Sequence, residues 1–295
     1  MTSTTCMTLL ERSDRVARDA LACGALQPIR TLHTTLRDGD VEFSVRWVSS
    51  LALKDQARID TVIRRAPDFN PFLPPEPELT VGALGDAHLV VLNKFPVIER
   101  HLLIVTRAWE AQTATLTHAD FGALAAVIGV HHGLGFYNGG LEAGASQAHK
   151  HLQWVPRDPG ADPALQGLFA PPDARPGVAV TLETLRWRHA FVALAADTWT
   201  EPETAATRLQ AAFVEAWHLL GLTRHDGLPP SLPPYNLLVT RNRLLLVPRR
   251  CEKWQDVSIN ALGFAGSLFV RSPAQIERLR STGPLAVLAA VSLPR

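Results

Sequence analysis

Apolar residues recur at helical spacing through residues 8–27, interrupted only by Gly24 ahead of Pro28, and this periodicity predicts a helix. Residues 41–48 alternate apolar and polar positions and predict a strand. After a proline-rich loop at 71–77, two short apolar runs at 87–93 and 101–106 flank a connection containing Pro96, and both are short enough to be central strands. Thr117 stands where an N-cap belongs and predicts a helix that ends before Gly133. Residues 156–177 carry Pro159-Gly160, Pro171-Pro172 and Pro176-Gly177, a density of breakers that predicts a link between two halves. Beyond it the pattern predicts a strand near 178–181 and a helix through 208–220, with Leu209, Ala212, Phe213, Ala216 and Leu220 on one face. Residues 235–240 and 243–248 form a hairpin pattern about the pair Arg241-Asn242. Helices segregated from hairpin-linked strands imply an α+β fold on antiparallel sheet, divided into halves at 1–170 and 171–295.

Composition narrows the class. With 295 residues, 46% of them hydrophobic and 19% charged, the chain holds enough apolar material for one or two domain cores. The net charge of +1 supplies no global basic field, which disfavours nucleic acid as a partner while leaving room for a local polyphosphate pocket. Seven tryptophans are scattered without a base-stacking pattern and read as structural. Cys6, Cys23 and Cys251 form neither a Cys-x-x-Cys pair nor an even disulfide set, which fits a reducing compartment. The first residues lack a signal-peptide pattern, and no stretch approaches the roughly 20 apolar residues that span a bilayer. The expectation is a cytoplasmic protein without a membrane partner.

Chemistry concentrates in residues 144–153. His149, His151 and Gln153 are two apart, so in a strand they share a face, whereas Lys150 points to the other side and reads as solvated. Small residues precede them: Gly139, Gly140, Gly144, Ala145 and Ser146 allow peptide N–H groups to approach an anion closely. An imidazole is readily unprotonated at neutral pH, so it can attack phosphorus and later leave a covalent phosphoramidate. A single His-x-His pair among 11 histidines is also compatible with a surface pair or half of a metal site.

Beyond that run, segments at 70–75, 92–97, 101–107, 136–139, 235–238, 247–249 and 259–266 match, in order and spacing, a known family. The sequence resembles the histidine-triad superfamily and, within it, the diadenosine tetraphosphate phosphorylases, also called ATP adenylyltransferases, over about residues 40 to 271. The resemblance implies a histidine-triad-like antiparallel sheet with flanking helices, extended by a C-terminal α+β half. It implies that His151 is the histidine that becomes adenylylated, that His149 orients the site, and that Asn138, Gly144, Ser146 and Gln153 hold phosphates. Asn93, Ala145 and Gln147 fall in matched segments and join the substrate-binding set, with Lys54 and Lys94 as candidates to neutralise the polyphosphate. Gln153 stands where hydrolytic relatives carry a third histidine. An amide donates to a phosphate oxygen but is no acid or base near pH 7, so a transferase is favoured over a hydrolase.

The implied reaction is phosphorolysis of a dinucleoside polyphosphate, with phosphate as co-substrate and ATP and ADP as products. A divalent cation, magnesium or manganese, is expected with the substrate phosphates rather than in a protein cage. Three alternatives stay open: nucleotidyl transfer to a sugar phosphate, dinucleotide hydrolysis, and a nucleotide-binding or sensing protein with a decayed site. Lys54 equally reads as an exposed lysine at a helix start, Asn70 as the start of an Asn-Pro turn, and His131-His132 as helix C-terminal or packing residues. The preferred base, the phosphate-chain length and the oligomeric state are not legible.

Overall fold

The computed structural model describes residues 7–48, 69–156, 174–222 and 232–295. Its N-terminal helix, α1 (Leu9–Cys23), opens on a capping box between Thr8 and Glu11 and stops at Gly24, which takes the left-handed conformation a helix C-terminus favours. Strands β1 (Thr31–Asp38) and β2 (Val41–Val48) form a hairpin. Next come β3 (Thr80–Leu84), β4 (His88–Leu92) and β5 (Leu102–Thr106), then helix α2 (His118–His131), β6 (Leu134–Gly139) and β7 (His151–Val155). The C-terminal half contributes β8 (Ala179–Val180), β9 (Ala190–Ala193), helix α3 (Pro202–Leu219), β10 (Tyr235–Thr240) and β11 (Arg243–Pro248). Two-residue strands β12 (Lys253–Trp254) and β13 (Val257–Ser258), then β14 (Ser267–Val270), α4 (Pro273–Thr282) and α5 (Pro284–Val291), complete it.

Nine strands make one antiparallel sheet in the order β3-β4-β5-β7-β6-β10-β11-β9-β8. The seam between the halves is the β6–β10 pair, where Asn138 lies opposite Asn236 and Tyr137 opposite Leu237. Alternate residues of β7 enter two different cores: Leu152 and Trp154 join Phe121, Leu124, Phe213 and Trp217 beneath the helices, whereas Val155 joins Phe136, Leu238 and Leu245 on the opposite face. That second face is covered by the β1-β2-β14 sheet, in which β14 runs parallel to β2, and by α4 and α5. Period-two alternation thus sends His151 and Gln153 to the face away from α2 and α3.

The predicted α+β class and antiparallel sheet match this architecture. The hairpin is paired as read, with Thr240 opposite Arg243, and Thr117 caps α2 through Asp120. Helix α3 starts six residues earlier than its apolar stripe suggested, because Pro202 is pre-organised for a first helical turn. Strand β1 and helices α4 and α5 lay outside the reading; the α5 sequence is apolar at nearly every position and carries no helical period. Most of the predicted breaker-rich link, 157–173, lies outside the described residues, as does Lys54.

Lys150 corrects the reading. It is not solvated but fully buried, because its odd-numbered neighbours face the site and it is driven into the helix side of the sheet. There its ammonium donates to Glu110 Oε2 at 2.8 Å, to Asp120 Oδ2 at 2.8 Å and to the Thr115 carbonyl at 3.1 Å. Asp120 Oδ1 accepts from His88 Nε2 on β4 at 2.8 Å. Burial alone would raise the Asp120 pKa, but the His88 hydrogen bond and the Lys150 charge overcome it and bring it down to about 2. One carboxylate therefore ties together α2, β4 and the start of β7. Lys150→Met leaves that buried carboxylate without its cation and is expected to destabilise the fold by about 3–5 kcal/mol, read as a lower urea midpoint; a loss under about 1 kcal/mol contradicts the clamp.

Candidate active site

His151 opens β7 and is almost fully buried. Its Nδ1 lies 2.8 Å from the His149 carbonyl oxygen, which can only accept, so the ring proton sits on Nδ1 and the lone pair on Nε2. No described residue hydrogen-bonds Nε2. Burial lowers the His151 pKa to about 4, keeping the ring neutral at pH 7. A neutral imidazole with an unengaged Nε2 is a ready nucleophile.

His149 is held differently. Its Nε2 donates to the Thr106 carbonyl at 2.9 Å, with Thr106 Oγ1 at 3.0 Å, while Nδ1 accepts from Asn70 Nδ2 at 2.9 Å. Asn70 Oδ1 accepts from Phe72 N, so Asn70 builds the expected turn and also fixes the imidazole. The Phe72 ring touches both histidines, its centroid 5.8 Å from that of His149 and 5.3 Å from that of His151. With both nitrogens engaged, His149 has no free lone pair, and its carbonyl selects the His151 tautomer.

Two amides lie on the same face of the sheet as His151. Gln153 lies two residues along the strand, and its Oε1 accepts from His101 Nε2 at 2.9 Å. Asn138, on β6 beside β7, accepts through Oδ1 from Asn236 Nδ2 at 2.8 Å and from Ala261 N at 2.9 Å. In both, the oxygen is engaged, and among the described residues the NH2 group has no acceptor and remains a donor. Asn236 is itself fixed by Arg249, a buried guanidinium that also reaches the carbonyls of Val291, Cys251 and Ile259. Burial drops the Arg249 pKa to about 10, which still leaves it charged. Gln112 fills the splay between β6 and β7: its Oε1 accepts from His151 N at 2.8 Å and its Nε2 donates to the Asn138 carbonyl at 2.8 Å.

In the approach loop the Gly144 and Ala145 N–H groups close turns onto Leu141 and Gly140, whereas those of Ser146 and Gln147 make no hydrogen bond among the described residues. Gly144 has φ +88°, and a Cβ there would sit 2.8 Å from Asn260 Cβ, so this glycine is required by its contact with the C-terminal half. Lys94 and Asn93 are engaged elsewhere than expected. The Lys94 ammonium is paired with both Glu76 oxygens at 2.8 Å, and the Asn93 amide joins Phe95 N to His101 Nδ1. His131 ends α2 with its ring against Trp154, the packing role anticipated for it.

The sequence reading does not single out Thr106, Phe72, His101 or Gln112, and it points to Asn236 and Arg249 only as parts of matched segments of the second half, without individual roles. Most sit in matched segments, so position in a motif was a usable signal for them. Gln112 belongs to none, and only the broken β6–β7 ladder reveals it. Among the described residues no group of three or more His, Cys, Asp or Glu side chains is placed to hold a metal ion, and no helix is long and apolar enough to cross a membrane.

A lone-pair nitrogen on His151, amides on Gln153 and Asn138 whose oxygens are engaged, and peptide N–H groups in the approach loop unpaired among the described residues are the kind of groups that chemistry on a phosphoryl group requires. The family described as the Ap4A phosphorylase N-terminal domain matches residues 1–164, and that described as the ATP adenylyltransferase C-terminal domain matches residues 183–294. The chain belongs to the Ap4A phosphorylase (ATP adenylyltransferase) family. Diadenosine 5',5'''-P1,P4-tetraphosphate phosphorylase 2 of Saccharomyces cerevisiae is 27% identical over 266 residues, covering 81% of this chain and 79% of the relative. Protein APA1 of the same yeast is 29% identical over 231 residues, 71% of each chain. The crystal structure of yeast Ap4A phosphorylase Apa2 superposes with a TM-score of 0.79 at 24% identity, covering 98% of this chain and 95% of that one. The same enzyme in complex with AMP gives 0.76 at 25% identity, covering 97% and 96%.

The depressed pKa of His151 carries a stability signature. The unfolded ring takes a proton near 6.5 and the folded ring only near 4, so stability from this residue is complete above pH 6.5 and is lost as pH falls toward about 4. His151→Gln removes that dependence. Its urea midpoint is expected to fall less steeply than that of the wild type across this window, and parallel curves would show that His151 titrates normally.

Proposed function

We propose that this protein is a diadenosine tetraphosphate phosphorylase, converting the dinucleotide and inorganic phosphate to ADP and ATP through an AMP-His151 intermediate. The observation that carries this reading is the His151 Nε2 lone pair, created by the Nδ1 hydrogen bond to the His149 carbonyl and unengaged among the described residues. It is supported by the family match over both halves and by the yeast relative named as a tetraphosphate phosphorylase.

In the first step Nε2 attacks the α-phosphorus. The bond to the bridging oxygen breaks, its electron pair leaves with ATP, and AMP remains on nitrogen. In the second step a phosphate oxygen attacks the same phosphorus, the N–P pair returns to Nε2, and ADP departs. The amides of Gln153 and Asn138 and the free N–H groups of Ser146 and Gln147 donate to the non-bridging oxygens, where charge accumulates. Gln153 cannot deprotonate water, so the intermediate waits for phosphate. Gly144 and Ala145 set the course of the loop. Lys94 would have to leave Glu76 to meet a phosphate, and Lys54 is kept as a second cation for the polyphosphate. The divalent cation, magnesium or manganese, enters as part of the substrate, chelated by its phosphate oxygens. The cytoplasm is the compartment we propose, from the cysteine usage.

Product analysis of purified protein incubated with diadenosine tetraphosphate and magnesium tests the reading. ADP plus ATP are expected only when phosphate is present. His151→Ala is expected to lose turnover by several orders of magnitude while retaining nucleotide binding. ATP plus AMP formed without phosphate would make the protein a hydrolase, and binding without turnover by the wild type would remove the enzyme reading altogether.

A further inference from the structure

An amide can present either a donor or an acceptor to a ligand, and for Gln153 the choice is made by the histidine behind it. Phe95 N donates to Asn93 Oδ1 at 3.1 Å, which identifies the other end of that amide as the NH2 group. Asn93 Nδ2 lies 3.1 Å from His101 Nδ1, so Nδ1 accepts and carries the lone pair. A neutral ring then holds its proton on Nε2, 2.9 Å from Gln153 Oε1. Each bond fixes the polarity of the next, from a peptide N–H to the catalytic strand. The ring is also held by packing: its centroid is 5.7 Å from that of Phe136, the residue opposite Gln153 in the β6–β7 pairing. Burial favours the neutral form that the relay requires, since a proton on Nδ1 would oppose the Asn93 NH2 group.

We propose that His101 is a positioning residue for nucleotidyl transfer, holding Gln153 with its amide oxygen turned back and its NH2 group presented to the phosphoryl group on His151. Without that hydrogen bond the amide samples both orientations, and the inverted one sets a lone pair against a non-bridging phosphate oxygen. The contribution is to the transition state rather than to nucleotide binding, because charge on those oxygens grows as phosphorus is attacked. The reaction named here rests on the phosphorylase reading above, whereas the polarity of the relay does not.

A double-mutant cycle separates action through Gln153 from a general loss of structure. His101→Phe keeps a planar ring and removes both nitrogens; it is expected to lower kcat for phosphorolysis about 10- to 100-fold, less than the roughly 10²–10³ of a deleted oxyanion donor, with KM within about twofold. In a Gln153→Ala background the same substitution is expected to change kcat by less than about twofold. Asn93→Ala, which frees the His101 tautomer, is expected to give a smaller loss with the same disappearance, and serves if His101→Phe does not fold. Multiplying effects in the double variant, or a change in KM with kcat intact, would overturn the proposal. Imidazole ¹⁵N spectra of the wild type supply a readout that needs no turnover: an unprotonated Nδ1 and a protonated Nε2 on His101 support the relay, and the opposite tautomer overturns it. A wild type that shows this tautomer but no transfer would refute the phosphorylase reading, and with it the assignment of His101 to that reaction.

Discussion

The buried ammonium of Lys150 holds the start of β7, and the placement of both histidines follows from it. Side chains alternate along extended backbone, so a lysine fixed under the sheet by Glu110 and Asp120 commits His149 and His151 to the opposite face. Register slips by one residue would bury the imidazoles among the helices and expose the charge. Breaking a buried ion pair costs far more than an exposed one, which gives the clamp its power to specify this register. Asp120 is at once the N3 member of the α2 capping box, the partner of His88 and the counter-ion of Lys150, so one carboxylate couples helix, sheet and site.

On the other face the polar groups are arranged by a common rule: carbonyl oxygens are engaged inside the protein and donors are left for the ligand. The His149 carbonyl takes the His151 proton, the Gln153 oxygen takes the His101 proton, and the Asn138 oxygen takes protons from Asn236 and Ala261. What is left unengaged among the described residues is one lone pair and several N–H groups, the complement of an electrophilic phosphorus surrounded by anionic oxygens. Asn236, Ala261 and Arg249 come from the C-terminal half, and Gly144 is pressed against Asn260, so the second half builds the first half's site directly.

The motif at 144–153 was legible because its chemistry is local: spacing of two, small residues ahead, and an amide in third position. The same locality makes the N-cap at Thr117 and the Arg241-Asn242 hairpin readable. Lys150 was misjudged because a charged residue in a strand defaults to solvent, and only long-range partners at Glu110 and Asp120 reverse that default. Gln112 left no trace in the sequence, since its role is to bridge a gap between strands 26 and 39 residues away. Residues 273–291 escaped for a simpler reason: the helix at their end is apolar throughout and has no period to read.

Peptide mapping of a trapped adenylate tests the central claim most directly. Protein mixed with diadenosine tetraphosphate and magnesium in the absence of phosphate, then quenched in alkali where phosphoramidates survive, should carry one AMP on the peptide containing His151. The adduct should sit on Nε2 and be discharged as ADP when phosphate is added before the quench. No protein-bound adenylate during turnover, or an adduct on His149 or His101 instead, would contradict the account of His151 as the nucleophile.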